Sequence, residues 1–429
     1  MSAGYAITTY KIQLNYKHLD WFKQTQSLFD AVLAFYYELL EKQPEALSLT
    51  NQNLLRHLEL QTIKQRDGTP PETPLPFEKI PLYFRRAAIN AAISMYRSYM
   101  GKLKAWQEGP IKRGKPSPPK CLHMSMLYYK GMYKDFDEKS ILLKLYTGKA
   151  WAWVKHRYTG RPFPENTELM SPTIVIKKKK VMLHIPVKEI VEDSRTAKER
   201  VQQNEKFVAV ALTGSDSLAV CTTIEADGRA TASYFIKGGK ELAHRRKQLL
   251  GYTKRGLAGN DMTHTVGNAA LSVPQEHRPN KKYYDKITRL TDHYAHEVSR
   301  KIVDYAIKQG AKLIILPELK ESFTQAKKPY LGKTPYDFIG RRIARYVQYK
   351  AWQQGLVAMN SKPYYASTRC YHCDAPIAKH NTEYQNPSAN FYGGKNFVCK
   401  KGHRGSTALN SARNLGKGFY ERFYAGSAL

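Results

Sequence analysis

The sequence predicts a multidomain chain, α+β in its first part and α/β in its second. Three patterns carry that prediction. One alternating strand is followed at once by three long amphipathic helices, strands then return as hairpins, and beyond residue 205 fully apolar strands alternate with amphipathic helices. A strand that is apolar on both faces belongs in a sheet covered on both sides. At 429 residues the chain has room for roughly two to four modules with their own cores.

Each element has a local reason. Tyr5 to Tyr16 alternates apolar and polar residues as a half-buried strand does. Asp20 precedes a helix whose Phe22, Leu28, Phe29, Val32, Leu33, Tyr36 and Leu40 fall on one broad face. A second helix starts near Thr50, with Leu54, Leu55, Leu58 and Leu60. Asp67 to Pro76 is turn-rich, and Pro81 opens a third helix with a basic side of Arg85, Arg86, Arg97 and Lys104. Gly109 to Lys120 is a basic, proline-bound loop carrying Lys112 and Arg113. The later run TIVIKKKKVMLHIPV reads as a hairpin with Lys177 to Lys180 at its turn.

The polar stretch Glu192 to Glu205 marks the main domain boundary. Phe207 to Leu212 and Ser217 to Ile224 are strands around a Gly-Ser-Asp turn, and the basic helical run ELAHRRKQLL holds Arg245 and Arg246. Asp261 to Lys281 reads as an irregular loop. Ile287, Leu290, Tyr294, Val298, Ile302 and Tyr305 stripe a long helix, Tyr283 to Gln309. The apolar strand Ala311 to Leu316 leads to Glu318, just past its C-terminal end, where sites gather in α/β sheets. A helix from Tyr336 to Gln354 and a strand from Leu356 to Met359 complete the order of an RNase H-like domain.

Lys and Arg total 69 against 36 acidic residues, a formal net charge of +33. So large an excess points to a phosphate polyanion as partner, because binding one releases condensed counterions. The 30 tyrosines fit that partner, since aromatic faces stack on unpaired bases. The sequence shows no membrane-spanning run and no signal peptide, so a cytosolic protein is expected.

Three of the five cysteines cluster near the C-terminus, which favours metal over a disulfide framework. Cys121 and Cys221 read as solitary buried thiols. Cys370, Cys373 and Cys399 have the spacing of a zinc-held loop pair, with His403 the natural fourth ligand and His372 and His380 as alternatives.

The chain resembles the transposon-encoded TnpB proteins and the compact type V CRISPR effectors. The resemblance is strongest at Lys350-Ala-Trp-Gln-Gln-Gly, Ala366-Ser-Thr-Arg-Cys-Tyr-His-Cys and Leu409-Asn-Ser-Ala-Arg-Asn-Leu, with weaker matches at the first strand, the Pro81 helix, the GKPSPPK loop and the Glu318 strand. It implies a wedge β-barrel interrupted by a helical recognition lobe, then a RuvC domain with a zinc-binding insertion. On that scheme residues 1–18 are the first barrel strand, 19–119 the helical lobe and 120–191 the remaining barrel strands. A linker follows at 192–205, then a degenerate RuvC-like domain at 206–365, the zinc insertion at 366–404 and the closing helix at 405–429. A guide RNA paired with one strand of double-stranded DNA is also implied, with the protein reading a short flanking motif.

The resemblance further implies three carboxylates holding two divalent metals for hydrolysis. Glu318 matches the middle one. Leu212 stands at the first position, and a one-residue shift gives Ala211. Ala408 stands at the third, with Ser406 two residues earlier. Asp216 lies in the turn beyond the first position. The expectation is a nuclease fold without catalytic Mg2+ or nuclease chemistry, most like the TnpB-derived nuclease-dead repressors. The basic candidates for nucleic-acid contact are Arg85, Arg86, Lys112, Arg113, Lys177, Lys178, Arg245 and Arg246, chosen by charge and position. Such a protein, nucleoid-associated in a prokaryote, represses by occupying a promoter against RNA polymerase. Two further readings are an inactive targeting subunit that recruits transposition proteins and a residually active RNA-guided endonuclease; a plain RNA binder is the remaining one.

Overall fold

The computed structural model describes residues 4–65, 68–109, 114–137, 139–165, 167–177, 179–213, 216–261, 280–319, 335–363, 365–382, 386–388 and 394–425. The chain forms two compact units. One is continuous, Ile7–Glu189; the other joins Met1–Ala6 to Ile190–Leu429.

In the continuous unit, strand β1 (Tyr5–Leu14) is followed by helices α1 (Leu19–Lys42), α2 (Asn51–Thr62) and α3 (Leu82–Glu108). Strands β2 (Met126–Leu127), β3 (Tyr133–Lys134), β4 (Ser140–Tyr146), β5 (Trp151–Thr159), β6 (Glu168–Leu169), β7 (Thr173–Lys177) and β8 (Lys180–Ile190) follow. They form one eight-stranded sheet in the order β2-β7-β8-β1-β5-β4-β3, with β6 beside β8. The helix α1 buries Phe22, Phe29, Val32, Leu33, Tyr36 and Leu40, the stripe that helical periodicity requires. Against it lie Ala87, Ala88, Ala91 and Ala92 of α3, small enough to let two helices approach closely. The side chain of Thr50 caps α2 by accepting the N–H of Asn53. Lys177 pairs with Lys180 across the β7–β8 hairpin.

The second unit opens on a short helix, α4 (Ala197–Gln202), set by a capping box between Thr196 and Glu199. Its Arg200 is fully buried: the guanidinium donates to the carbonyls of Asp193, Arg195, Lys312 and Gly355 and pairs with Asp193 and Glu205. The stretch read as a linker is thus bound into the body of this unit. Strands β9 (Phe207–Leu212), β10 (Ser217–Ile224) and β11 (Ala230–Lys237) come next, followed by helices α5 (Gly239–Asp261) and α6 (Lys281–Lys308). Strand β12 (Leu313–Pro317), helix α7 (Pro335–Gln353) and strand β13 (Val357–Ser361) complete a sheet in the order β11-β10-β9-β12-β13. Strands β9, β12 and β13 run parallel, while β10 and β11 are antiparallel to their neighbours.

Short strands β14 (Ile377–His380), β15 (Asn396–Cys399) and β16 (Arg404–Ser406) make a small sheet of their own, and α8 (Thr407–Phe423) closes the chain. The five-stranded sheet is covered on both faces, as its apolar strands demand. Val208, Val210 and Leu316 pack with Val298, Ile302, Ile343 and Val347 of α6 and α7. Phe207, Ala209, Leu313 and Ile315 pack with Leu415 and Phe419 of α8. Gly416 lets α8 sit close, since a Cβ there would lie 2.7 Å from Ile224.

Three sequence expectations change. The edge strand β11 was not expected, because only Ile236 along it is buried and it shows almost no apolar alternation. Cys121 is exposed rather than buried, sitting in the irregular run before β2, while Cys221 is buried as expected. Of the α6 stripe, Tyr294, Val298, Ile302 and Tyr305 are buried, but Ile287 and Leu290 only partly, as that end of the helix is less covered. Most of the loop expected at Asp261 to Lys281 lies outside the described residues. Among the described residues no helix is long and apolar enough to cross a membrane.

Candidate metal centre and nucleic-acid interface

The expected ligand set converges. The ligand atoms of Cys370, Cys373, Cys399 and His403 all lie within 4.8 Å of one another. The Cys373 and Cys399 sulfurs are 3.6 Å apart, and Cys399 Sγ lies 3.4 Å from His403 Nδ1. Two tight turns supply the ligands. In the first, the N–H of Asp374 returns to the carbonyl of Cys370. In the second, Gly402 at φ 84° lets its N–H reach the carbonyl of Cys399, a conformation that suits glycine.

Burial pushes the Cys370 thiol up. Burial also acts to raise Cys399, but hydrogen bonds from His403 and the backbone N–H groups of Lys401 and His403 outweigh it and draw the thiol down to about 6. Three sulfurs and one imidazole at these separations suit a tetrahedral ion with a taste for thiolate. Of the alternative fourth ligands, His372 stacks on His403 at 5.1 Å and His380 is hydrogen-bonded to the Thr382 carbonyl.

The Asn-Ser-Ala-Arg-Asn run of α8 explains how this knuckle is held. Asn410 is 3% exposed; its Oδ1 accepts the N–H of Tyr371 and its Nδ2 donates to the Arg369 carbonyl. Asn414 donates to the carbonyls of Ala366 and Arg369. Two amides thus fasten the first cysteine turn to the helix. The Lys350-Ala-Trp-Gln-Gln-Gly run is tied down as well: Lys350 Nζ donates to the carbonyl of His296 and the hydroxyl of Ser299, and Trp352 Nε1 donates to the Tyr5 carbonyl.

The carboxylate positions can be compared through the sheet register. On parallel strands β9 and β12, Leu313 lies beside Phe207 and Ile315 beside Ala209. Continuing that register to the strand ends sets Glu318 beside Leu212. Glu318 is exposed, and its N–H is held by the Ser361 carbonyl at 2.8 Å. Leu212 is 5% exposed within the apolar cluster under α6 and α7. Ala408 is half-buried in the first turn of α8. Asp216 is engaged by Lys395 at 3.0 Å and Lys240 at 3.4 Å, and the Lys395 hydrogen bond is the main cause that holds its carboxyl below the usual range.

The described basic candidates meet different partners. Arg85 and Arg86 both grip Glu59, which is 6% exposed: Arg85 Nη2 donates to Oε1 at 2.8 Å, and Arg86 Nη2 and Nε donate to Oε2 at 2.8 and 3.1 Å. Burial acts to raise the Glu59 carboxyl, but the hydrogen bonds from Arg86 and Arg85 prevail and hold it low. Part of Arg86 still faces a cleft with Tyr83, Asn90, Tyr129 and Lys130. Arg245 pairs with Glu241, and Arg246 is half-buried, its charge disfavoured first by burial and then by nearby Arg342. Lys177 is exposed at its hairpin. Lys112, Arg113 and Lys178 lie outside the described residues. Sequence reasoning missed the Glu59 clamp, since a buried acid on a helix looks in sequence like any surface acid.

The profile of the Aq_aa04 family matches residues 6–147. The CRISPR-associated endodeoxyribonuclease Cas12f1 of Sulfoacidibacillus thermotolerans is 30% identical over 139 residues, which is 32% of this chain and 29% of that relative. A solved Cas12f1–sgRNA–target DNA complex aligns over 94% of this chain and 83% of its own, with a TM-score of 0.59 at 15% identity. Over those 139 residues the chain is a homologue of Cas12f1, a compact type V effector. Its mixed α/β architecture is the fold of these effectors. The mini-RNA-guided endonuclease Cas_phi3 aligns over 96% of this chain and 93% of its own at a TM-score of 0.48 and 11% identity.

Proposed function

We propose that this chain is a nuclease-inactive RNA-guided DNA-binding protein, which uses a guide RNA to occupy a matching duplex beside a short flanking motif and so represses transcription. The observation that carries the proposal is Leu212 buried at the end of β9, at the position that the β9–β12 register, carried on past Ile315 and Ala209, sets beside Glu318. A hydrolytic metal pair needs several converging oxygen ligands, and on this reading Glu318 stands with an apolar residue where its partner would be. Ala408 adds no oxygen on α8. Asp216, held by two lysines, is already neutralised as an anion and lies past the strand end.

What supports nucleic-acid partners is the charge of +33 together with the effector fold. Guided binding needs a channel for the heteroduplex and stabilisation of the displaced strand, neither of which uses the missing carboxylates. In this reading residues 7–189 form the wedge and recognition parts and the five-stranded sheet is a degenerate RuvC-like core. The cysteine–histidine cluster holds zinc as a structural ion. Zinc there supplies no chemistry beyond fixing the two turns.

The test is to purify the chain with its co-expressed RNA and present a matching plasmid with Mg2+. The expected result is a stable, RNA-dependent footprint on intact supercoiled DNA, and loss of expression from a promoter so covered. Nicking or linearisation abolished by Glu318→Ala would overturn the inactive reading. A diffuse population of co-purifying RNAs would overturn guidance.

A further inference from the structure

The outward face of the eight-stranded sheet carries a feature that none of the sequence motifs singled out. On β5, Trp153 stands directly across from Lys144 of β4, and Lys155 stands across from Leu142, which in turn pairs with Lys134 of β3. Side chains opposite one another on paired strands share a face. The Lys134 ammonium sits 4.6 Å from the centre of the Trp153 ring and that of Lys144 5.8 Å from it. Two ammonium groups held against one indole fix the ring by cation–π attraction while leaving it 38% exposed. Among the described residues the ring stacks on no other aromatic, and its N–H donates to no acceptor.

The charged residues on the strands around this indole are basic. Lys155 and Arg157 follow it on the same side of β5 and both are exposed. Strands β1, β3, β4, β5 and β7 contain no Asp or Glu. Asp137 interacts with Lys155, but its Oδ1 accepts the N–H groups of Lys139 and Ser140 and its Oδ2 the Ser140 hydroxyl. Farther along the same face Gln13 pairs with Thr159, two neutral hydrogen-bonding side chains. A solvated basic face with no aromatic would need only counterions. A fixed, exposed ring among cations has a surface that water and small ions do not satisfy.

We infer that Trp153, with Lys134, Lys144, Lys155 and Arg157, is a stacking platform for an unpaired base of an RNA, the cations taking the flanking phosphates and the Gln13–Thr159 pair the ribose hydroxyls. A base inside a duplex has no free face for the ring, so the platform selects a single-stranded or bulged segment. The inference rests on the proposed function only in taking RNA as the resident polyanion.

The experiment uses the full chain freed of co-purifying RNA by high salt, with fluorescein-labelled oligo(U) RNA of about twelve nucleotides as the probe, the size of site a single-strand-binding module covers. Oligo(dT) of the same length and a blunt RNA duplex are the comparison ligands. Trp153→Ala is expected to weaken oligo(U) about tenfold, the range for loss of one stacked base. Trp153→Phe should keep most of the affinity, and duplex binding should change less than twofold with either variant. Lys144→Gln with Lys155→Gln should lower the slope of log affinity against log salt by about one to two, since each removes a phosphate contact.

Equal oligo(U) affinity for wild type and Trp153→Ala would overturn the platform while leaving the proposed function standing. An equal loss for the duplex, or a tenfold loss for oligo(dT) alongside oligo(U), would overturn its selectivity for unpaired RNA. Failure of the wild type to bind any RNA would overturn both readings together. Circular dichroism of Trp153→Phe, which keeps the ring, guards against mistaking a folding defect for lost stacking.

Discussion

Leu212→Asp places at this strand end the carboxylate that the proposed function takes to be lost, and the expected outcome is instability rather than activity. Leu212 lies in the cluster with Val210, Leu218 and Ile339, and its Cδ1 would be 3.8 Å from a Cβ placed on Gly340 of α7. Removing a buried leucine costs about 1.5–3 kcal/mol of apolar burial. The introduced carboxyl must then ionise among apolar side chains or stay protonated, and each unit its pKa rises adds about 1.4 kcal/mol at neutral pH. Together these give a loss of roughly 3–5 kcal/mol.

The sign with pH is specific. A carboxyl with a raised pKa in the folded state costs nothing extra below its unfolded value of about 3.9, and the penalty grows as pH rises above that. Urea unfolding followed by far-UV circular dichroism at pH 5 and pH 8 measures it. The variant should be nearer to wild type at pH 5, and Mg2+ should not rescue it. A loss below about 1 kcal/mol, or stabilisation by Mg2+ in the Leu212→Asp, Ala408→Asp double variant, would refute the view that this position has become core.

Three other outcomes are expected. Glu59→Gln leaves Arg85 and Arg86 without their buried counter-charge and should cost about 3–5 kcal/mol in urea unfolding; in the wild type this contribution is full above 4.5, the ordinary value for a glutamate, and fades as pH falls through the lower value that Glu59 has in the fold. The purified chain should carry one zinc by elemental analysis, and Cys399→Ser or a strong chelator should release it and broaden the amide signals of β14 to β16; wild-type protein free of metal and unchanged by chelator would contradict the site. Asn410→Ala orphans the Tyr371 N–H, while Asn414 still reaches the Arg369 carbonyl, and should cost about 1–3 kcal/mol, with faster hydrogen exchange in the first cysteine turn while α8 itself stays protected.

What the sequence made legible was what lies close together in the chain or repeats with a period. The stripe on α1, the hairpin at Lys177 to Lys180 and the four ligands of the cluster are of this kind. The Glu59 clamp was illegible because it joins α2 to α3, and charge alone does not tell a buried glutamate from a solvated one. Strand β11 escaped notice because an edge strand with one buried residue has no apolar rhythm. The knuckle's dependence on Asn410 and Asn414 needed the packing of a loop onto a helix some forty residues later. Trp153 looked like any strand tryptophan until its two lysines were placed beside it.

The second unit is sewn from two pieces of chain. The Gly4 carbonyl accepts the N–H of Val191 and the Tyr5 carbonyl accepts from Trp352, so the start of β1 belongs to a body whose other residues are numbered from 190. During synthesis, at roughly 5–20 residues per second, the segment closing at Glu189 is complete about 8–33 s before Trp352 is made. The segment Ile7–Glu189 is therefore complete while Tyr5, which belongs to the other unit, still waits for Trp352. That interval leaves the opening residues of β1 without their tryptophan contact, and a nascent-chain pulse-labelling experiment would find them the last of the strand to gain protection.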